Sequence, residues 1–247
     1  MAAHPEIVLT KKVNLKDYTL IEGFPGIGLV GTIAAGYIVE KRNMEPIGYI
    51  VSDKFPPMTT IHQGRPYFPA RIYMDKKSDF CVLFSEFVVP MGAVNDLSDA
   101  ILQFAKEKKI KQIVSIAGMS SQNEGTPEIY GIASNDEMSR YLKVKKIKLI
   151  NEGVTTGVSG VLLAKCSAQN FPAFSLLAES KMGYPDPRAS AALLKRLEEV
   201  IGLKIDVKAL LEEASIIEAR IKKMMEQIRR DGGAYQRASE EYPSMYE

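Results

Sequence analysis

The segment EGFPGIGLVG, residues 22–31, follows a short apolar run and precedes an apolar stretch with helical spacing. Its glycines Gly26, Gly28 and Gly31 match the spacing G-x-G-x-x-G, which is typical of the turn between the first strand and helix of a dinucleotide-binding fold. Asp53 ends the next predicted strand, where that fold places the acid that binds a ribose. The segment therefore predicts a strand, a glycine turn and a helix, and it raises the hypothesis of a nucleotide-binding α/β enzyme.

Other features of the same segment favour a structural role for its glycines. Pro25 restricts Phe24 and stiffens the turn, which makes it a poor phosphate-binding loop. Glycines also permit close approach of a helix to a strand and backbone conformations with positive φ. The chain lacks the G-x-x-x-x-G-K-[ST] motif of ATP-binding loops, and its two histidines, His4 and His62, form no histidine–cysteine cluster. We therefore interpret the glycines as a tight strand-to-helix junction and predict no cofactor and no metal.

Strand-like and helix-like segments alternate along the chain, and this alternation predicts an α/β protein. Strands are predicted at residues 18–22, 46–53, 79–87, 112–119 and 172–180, with shorter ones at 128–134 and 148–151. Helices are predicted at residues 28–42, 94–109 and 187–201, and the glycine-rich stretch 152–166 is predicted to turn into a helix whose later part is residues 161–165. The expected architecture has three layers, α/β/α, around a mostly parallel sheet.

The last of these helices has clear end signals. Asp186 is a predicted N-cap, Pro187 occupies the first helical position, and Gly202 can end the helix.

Composition limits the possible partners and compartments. The 247 residues carry a net charge of +2, with 46% hydrophobic and 25% charged residues, so no excess of charge predicts a nucleic acid or an anionic membrane as partner. No apolar run reaches the length of a membrane span, and the N-terminus lacks a signal-peptide core. Cys81 and Cys166 are predicted to be buried thiols, although a single disulfide is the alternative. We expect a cytoplasmic protein.

Two loop segments are unusually apolar. Residues 53–74 and 86–94 are rich in aromatic residues, methionine, valine and proline, and both adjoin predicted strands. Such loops are candidates for subunit contacts, or they cover the edge of the core.

The C-terminal region changes character after residue 205. Apolar residues recur in a heptad pattern over residues 206–230, which predicts a long amphipathic helix that packs on its own domain or forms a self-association seam. The members of this seam are Val207, Leu210, Ala214, Ile217, Ile221, Met224 and Ile228. The chain is thus divided into an α/β core (residues 1–205), this helix (206–230) and a polar, flexible tail (231–247) that ends in Met245, Tyr246 and Glu247.

Three segments together resemble a known family. They are EGFPGIGLVG (residues 22–31), IAGMSS (116–121) and YPDPRASAALLKRLEEVIGLKIDVKALLEEA (184–214). In combination they are similar to the archaeal branch of the proteasome assembly chaperone family, the type-two group, and the likeness extends over residues 20–214.

The resemblance implies an α/β/α fold whose glycine segment holds no cofactor, and a non-enzymatic protein that acts on the proteasome core particle. Some archaeal relatives carry a C-terminal motif, hydrophobic residue–tyrosine–any residue, which docks into pockets between adjacent α-subunits. Met245, Tyr246 and Glu247 match that motif in type and position. The hypothesis that follows is a homo-oligomeric, ATP-independent core-particle binding protein, either an assembly factor or a gate-opening activator. The nucleotide-binding enzyme is the alternative.

Overall fold

The computed structural model describes residues 4–121, 126–180 and 183–212. The strands are β1 (Glu6–Leu9), β2 (Thr19–Gly23), β3 (Glu45–Val51), β4 (Thr60–His62), β5 (Arg65–Tyr67), β6 (Ala70–Met74), β7 (Phe80–Ser85), β8 (Gln112–Ser120), β9 (Ile129–Ala133), β10 (Lys148–Leu149) and β11 (Ala173–Ser180). The helices are α1 (Val30–Lys41), α2 (Met91–Glu107), α3 (Asp136–Val144), α4 (Gly157–Ala168), α5 (Pro187–Ile201) and α6 (Lys208–Glu212), and a short 3₁₀ turn (Ile27–Leu29) precedes α1.

Nine strands form one mixed sheet in the order β1-β3-β6-β7-β2-β8-β11-β9-β10, and β4 and β5 form a separate hairpin. The central strands β7, β2, β8 and β11 are mutually parallel. The pairs β1–β3, β3–β6, β6–β7 and β11–β9 are antiparallel, whereas β9–β10 is parallel.

The prediction of a mostly parallel sheet is therefore wrong outside the centre. Parallel neighbours need a long crossover, whereas antiparallel neighbours can follow each other through short turns. The segment predicted as a loop between β3 and β7 contains the hairpin and β6, and β6 joins β7 through a short turn. Strand β1 and helix α3 were not predicted either.

Helices cover both faces of the sheet, as the three-layer prediction requires. Neighbouring residues of a central strand point to opposite faces, so Ile21 joins one buried cluster and Leu20 the other. The first cluster contains side chains from α1, α3, α5 and α6, and the second contains side chains from α2 and α4.

The ends of α5 lie where the sequence predicts them. The Asp186 side chain accepts a hydrogen bond from the Ala189 N–H at 2.9 Å, and Gly202 takes a left-handed conformation with φ of 79°. Both predicted end signals are confirmed.

Cys81 and Cys166 are buried free thiols, as predicted, which rules out the alternative of a disulfide.

The start of the predicted C-terminal helix packs on the core. Val207 and Leu210, the first two members of the seam, are buried. The Tyr37 hydroxyl donates to the Asp206 carbonyl at 2.7 Å and accepts from the Leu210 N–H at 3.2 Å. The rest of the predicted helix and the whole predicted tail lie outside the described residues. Within the described ranges, none of the helices has the length and hydropathy needed to cross a bilayer.

The first turn of α1 lies directly against the backbone of the central strands. A Cβ placed on Gly31 would lie 2.3 Å from the carbonyl oxygen of Ile116 in β8 and 3.1 Å from that of Phe24. A Cβ on Gly118 would lie 2.2 Å from the carbonyl oxygen of Ile27. Backbone atoms cannot move aside as a flexible side chain can, so glycine is required at these positions. The interpretation of the segment as a tight junction is confirmed at Gly31.

Replacing Gly31 with alanine tests this contact. We expect Gly31→Ala to lower the free energy of unfolding by about 2–3 kcal/mol, because the new methyl group forces the helix away from β8. Urea denaturation monitored by circular dichroism measures the change.

Gly36, on the same helix, is the matched control, since a Cβ there meets no atom within 4 Å. Gly36→Ala should leave the stability unchanged or raise it by up to about 1 kcal/mol through helix propensity. Equal effects of the two substitutions would contradict the proposed role of the Gly31 contact.

Candidate functional site

The glycine turn is closed by the chain that follows β11. Gly28 has φ of 61°, and a Cβ there would lie 2.0 Å from the Ser180 hydroxyl oxygen. The Asp186 N–H donates to the Gly28 carbonyl at 2.8 Å, and the Ser180 hydroxyl donates to the Asp186 carboxylate at 3.0 Å. A carboxylate thus lies where a dinucleotide site would hold a pyrophosphate, and its negative charge opposes a phosphate there.

The second part of the nucleotide hypothesis requires Asp53 near this turn. In a dinucleotide-binding fold the acid ends a strand adjacent to the first one. Here Asp53 follows β3, and two strands, β6 and β7, separate β3 from β2. The structure therefore brings Gly26, Gly28 and Gly31 together but places Asp53 elsewhere. This geometry does not support the nucleotide-binding alternative. A Cβ on Gly26 would meet no atom within 4 Å, so close packing is not the reason for a glycine at position 26.

The other predicted site residues, Met245, Tyr246 and Glu247, lie outside the described residues. Their role in binding stays a prediction from the sequence.

Most of the large exposed apolar side chains in the described ranges lie at one end of the sheet, the end where β7 and the other central strands finish. We call one group of them the apolar rim; its members are Met58, Ile61, Phe68, Val88 and Met91. Ile61 is 70% exposed, Val88 71% and Met91 90%. The rim comes from the two loop segments that the sequence predicts as candidate contact surfaces. An exposed apolar cluster of this kind is typical of a protein–protein contact.

The hairpin that carries Ile61 is anchored by a charged cluster. The Glu86 carboxylate lies 2.8 Å from an Arg71 guanidinium nitrogen and 2.9 Å from Nε2 of His62. The Arg71 side chain is almost fully buried and also lies over the Tyr67 ring, 5.3 Å from its centroid. These contacts hold β4 and β5 against the ends of β6 and β7, so Ile61 is presented by a fixed surface. Sequence reasoning missed this cluster, because its members come from a hairpin, a strand and a loop that were not predicted to meet.

A groove lies beside the hairpin, over residues of β3. It has a volume of about 530 Å³, and its apolar lining includes Tyr49, Met58 and Phe68. The rings of Tyr49 and Phe68 are stacked, with centroids 4.2 Å apart. The rim therefore continues into an aromatic recess.

The loop after β3 connects the hairpin to the start of α2. The rings of Phe55 and Phe87 meet edge to face with centroids 5.0 Å apart, and the Lys54 ammonium lies 2.5 Å from the Asp96 carboxylate. Both apolar loops are thus joined into one surface at this end of the molecule.

A buried carboxyl group lies at the centre of the sheet. Glu22 in β2 is fully buried and faces α4, and neither of its oxygens has a hydrogen bond of normal geometry among the described residues. Burial raises the pKa of Glu22 to about 7, although the nearby hydroxyls of Ser115 and Ser159 partly oppose the shift. Cys166 lies on α4, the helix that Glu22 faces. Burial, together with the Glu22 charge, raises the pKa of Cys166 to about 12. The sequence gives one sign of this buried carboxyl group: Glu22 is an acid within the apolar run that precedes the glycines.

The mixed sheet, its two helical layers and the glycine-closed junction define an α/β/α protein whose exposed features favour protein contacts. The chain belongs to the PAC2 family, which it matches over residues 20–225. An uncharacterised protein of Methanocaldococcus jannaschii is 37% identical over 217 residues, which cover 87% of this chain and 89% of the relative.

Two solved structures from Pyrococcus furiosus share this fold. Pyrococcus furiosus PbaA, an archaeal homologue of proteasome-assembly chaperone, is 33% identical, with a TM-score of 0.84 over 92% of this chain and 99% of PbaA. Pyrococcus furiosus PbaB, an archaeal proteasome activator, has the same fold, with a TM-score of 0.77, 23% identity and coverage of 91% and 100%. The predicted resemblance to the proteasome assembly chaperone family is confirmed at the level of the family.

The buried carboxyl group makes stability depend on pH. Unfolded Glu22 releases its proton near its ordinary pKa of 4.5, whereas the folded group does so near 7. Between these values the folded state binds more protons than the unfolded state, so the free energy of unfolding falls as the pH rises. The loss is fully present above pH 7 and amounts to about 3 kcal/mol. Glu22→Gln should remove it, so the variant gains stability relative to wild type between pH 5 and pH 8.

Urea denaturation at both pH values measures this difference. Glu40→Gln, which removes an exposed acid from α1, is the control and should follow the wild-type profile. Parallel pH profiles for wild type and Glu22→Gln would show that the carboxyl group is not the cause.

Proposed function

We propose that this protein binds the proteasome core particle without enzymatic activity and without ATP, and that it docks its C-terminal tail into pockets between α-subunits. The observation that carries the proposal is the likeness to PbaA over nearly the whole of both chains, and the terminal sequence Met245, Tyr246, Glu247 adds to it. The protein acts as an assembly chaperone, as a gate-opening activator, or as both. Tail insertion would stabilise one arrangement of α-subunits, because only differential binding shifts such an equilibrium.

The chemistry of the terminal residues fits docking into a pocket. The Tyr246 ring can be buried while its hydroxyl finds a hydrogen-bond partner, and the flexible Met245 thioether fills an irregular apolar cleft. The α-carboxylate of Glu247 would pair with a lysine of the pocket. Because the carboxylate exists only at a chain end, the motif must be terminal.

One short peptide binds weakly, so several tails would have to act together. An oligomer gains avidity without new contacts if its linkers reach neighbouring pockets. The predicted tail of residues 231–247 would span roughly 23 Å r.m.s. as a flexible chain. The apolar rim supports a homo-oligomer, since it offers a fixed surface for a second copy. In this proposal the protein works in the cytoplasm, with neither nucleic acid nor membrane as partner.

The tail prediction concerns Tyr246. We expect Tyr246→Ala to weaken binding to the purified core particle by about 30-fold or more, because a buried aromatic anchor typically contributes 2 kcal/mol or more. Surface plasmon resonance with immobilised core particle measures the affinity. Adding residues after Glu247 should have a similar effect by displacing the carboxylate.

Tyr242→Ala, in the same tail, is the matched control and should change the affinity by less than about threefold, since few contact residues carry most of the binding energy. Undiminished binding of Tyr246→Ala would refute tail docking.

A second prediction concerns self-association through the rim. We expect the double variant Val88→Asp and Met91→Asp to weaken oligomerisation by at least about tenfold, because two charges would have to be buried against an apolar surface. Sedimentation velocity over a range of concentrations measures the effect. Val144→Asp, which changes a residue that is 79% exposed on α3, is the control and should assemble as wild type does. Wild-type mass in the double variant at every concentration would exclude the rim from the interface.

A further inference from the structure

Strand β1 lies at one edge of the nine-stranded sheet. It pairs with β3 on one side, and within the described ranges no strand pairs with its other side. Its apolar residues Ile7, Val8 and Leu9 are half-buried, and Ile7 and Leu9 pack against the buried cluster that contains side chains of α2. An edge strand presents a row of backbone N–H and C=O groups with which a further strand can pair.

The hydrogen bonds to β3 show which backbone groups of β1 face outward. Directly opposed residues of an antiparallel pair alternate between pairs that exchange two hydrogen bonds and pairs that exchange none. Thr10 and Ile47 continue the register of β1 and β3, and the Thr10 N–H donates to the Ile47 carbonyl at 2.9 Å. Val8 therefore also turns its N–H and C=O toward β3, whereas those of Ile7 and Leu9 point to the open side.

The opposite edge of the sheet is protected in ways that β1 is not. Strand β10 has only two residues, and its Lys148 ammonium lies 2.7 Å from the Glu128 carboxylate. Short strands and lysine side chains are common means of keeping a sheet edge from pairing with another chain. Strand β1 is longer and contains neither lysine nor proline between Glu6 and Leu9. Its edge therefore suits the addition of another strand.

We propose that β1 pairs antiparallel with β1 of a second copy of this chain, so that the two sheets join across a two-fold axis. In the register that places Val8 opposite Val8 of the partner subunit, Ile7 faces Leu9 of the partner subunit. The outward N–H and C=O groups of both residues then exchange hydrogen bonds, and the two-fold axis repeats the same pair. This contact extends the proposed homo-oligomer, but it depends neither on the tail nor on the core particle.

The charges beside β1 favour a second copy as its partner. Glu6 begins the strand, and Lys12 lies just beyond its end; both are exposed. Among the residues that the structure describes, neither makes a salt bridge, whereas the neighbouring Lys11 pairs with Glu45. Antiparallel pairing brings Glu6 of each copy toward Lys12 of the partner subunit, so opposite charges meet twice. A parallel arrangement would place like charges together. A peptide from another protein would gain the same backbone hydrogen bonds, but the strand itself supplies this charge pattern.

The first test exchanges the two charges in the full-length chain, with Val88→Asp and Met91→Asp present so that the apolar rim does not contribute. We expect Glu6→Lys alone and Lys12→Glu alone each to raise the dissociation constant of the dimer at least about fivefold, because like charges then meet. A mixture of the two single variants should favour heterodimers, because every acid in the mixed dimer faces a lysine again. Sedimentation velocity gives the dissociation constants, and native mass spectrometry with one variant isotopically labelled counts the heterodimers.

Glu40→Lys and Lys143→Glu are the matched controls, because they change the net charge equally at exposed positions on α1 and α3. Each control should keep the parent's dissociation constant within about twofold, and their mixture should show no preference for heterodimers. The same behaviour in the Glu6 and Lys12 variants would overturn the pairing proposed for β1.

The second test concerns the backbone. Leu9→Pro removes an outward N–H and leaves the hydrogen bonds to β3 in place, so it should raise the dissociation constant at least about thirtyfold. Circular dichroism verifies that the variant is folded. Hydrogen exchange followed by NMR should show the Ile7 and Leu9 amides becoming protected as the parent chain dimerises, whereas the Val8 amide is protected at every concentration.

Three results would overturn the proposal and leave the proposed binding to the core particle untouched. The first is a parent chain that stays monomeric while β1 is intact. The second is unchanged dimerisation of Leu9→Pro. The third is full protection of the Ile7 and Leu9 amides in the monomer, which would show that the edge is covered from within the same chain. Conversely, a wild-type chain that dimerises through β1 but does not bind the core particle would refute the proposed function alone.

Discussion

The direct contact of one helix with the backbone of the central strands is the constraint on which this fold depends. A Cβ on Gly23 would lie 2.3 Å from the Gly31 carbonyl, so β2 and α1 touch without any side chain between them. The turn between them can then close only through left-handed backbone at Gly28 and Leu29. The loop before α5 packs on this turn through Asp186. Helices α1 and α5, which lie on the same face of the sheet, are therefore both positioned by the contact between Gly23 and Gly31.

The sequence predicted the centre of the molecule better than its edges, for physical reasons. Strands buried on both faces are continuous apolar runs, and α5 has its cap signals at both ends. Strand β6 escaped prediction because Arg71 interrupts a short segment that follows prolines. Asp53 had the right spacing for a nucleotide site, but spacing along the chain does not show that two strands separate it from the glycines. The burial of Glu22 likewise depends on neighbours that are distant in sequence.

The two ends of the sheet differ in chemistry. At one end the hairpin and the loop after β7 present apolar side chains on a surface fixed by Arg71 and Glu86. At the other end, the segments before β2 and after α2 carry several lysines and are joined by the hydrogen bond from the Asp17 N–H to the Lys109 carbonyl. The apolar rim and these lysines are thus separated by the length of the sheet.

The order of the strands also affects how the protein is made. Strand β2 emerges early from the ribosome, but its neighbours β7 and β8 begin only at Phe80 and Gln112, and β11, next to β8, begins at Ala173. Strand β2 therefore has both neighbours only after about half of the chain has been made, and contacts between residues so far apart slow folding. The edge of β8 that pairs with β11 stays open to other nascent chains until about three quarters of the chain has been made. A protein related to assembly chaperones would thus itself depend on protection while it is being translated.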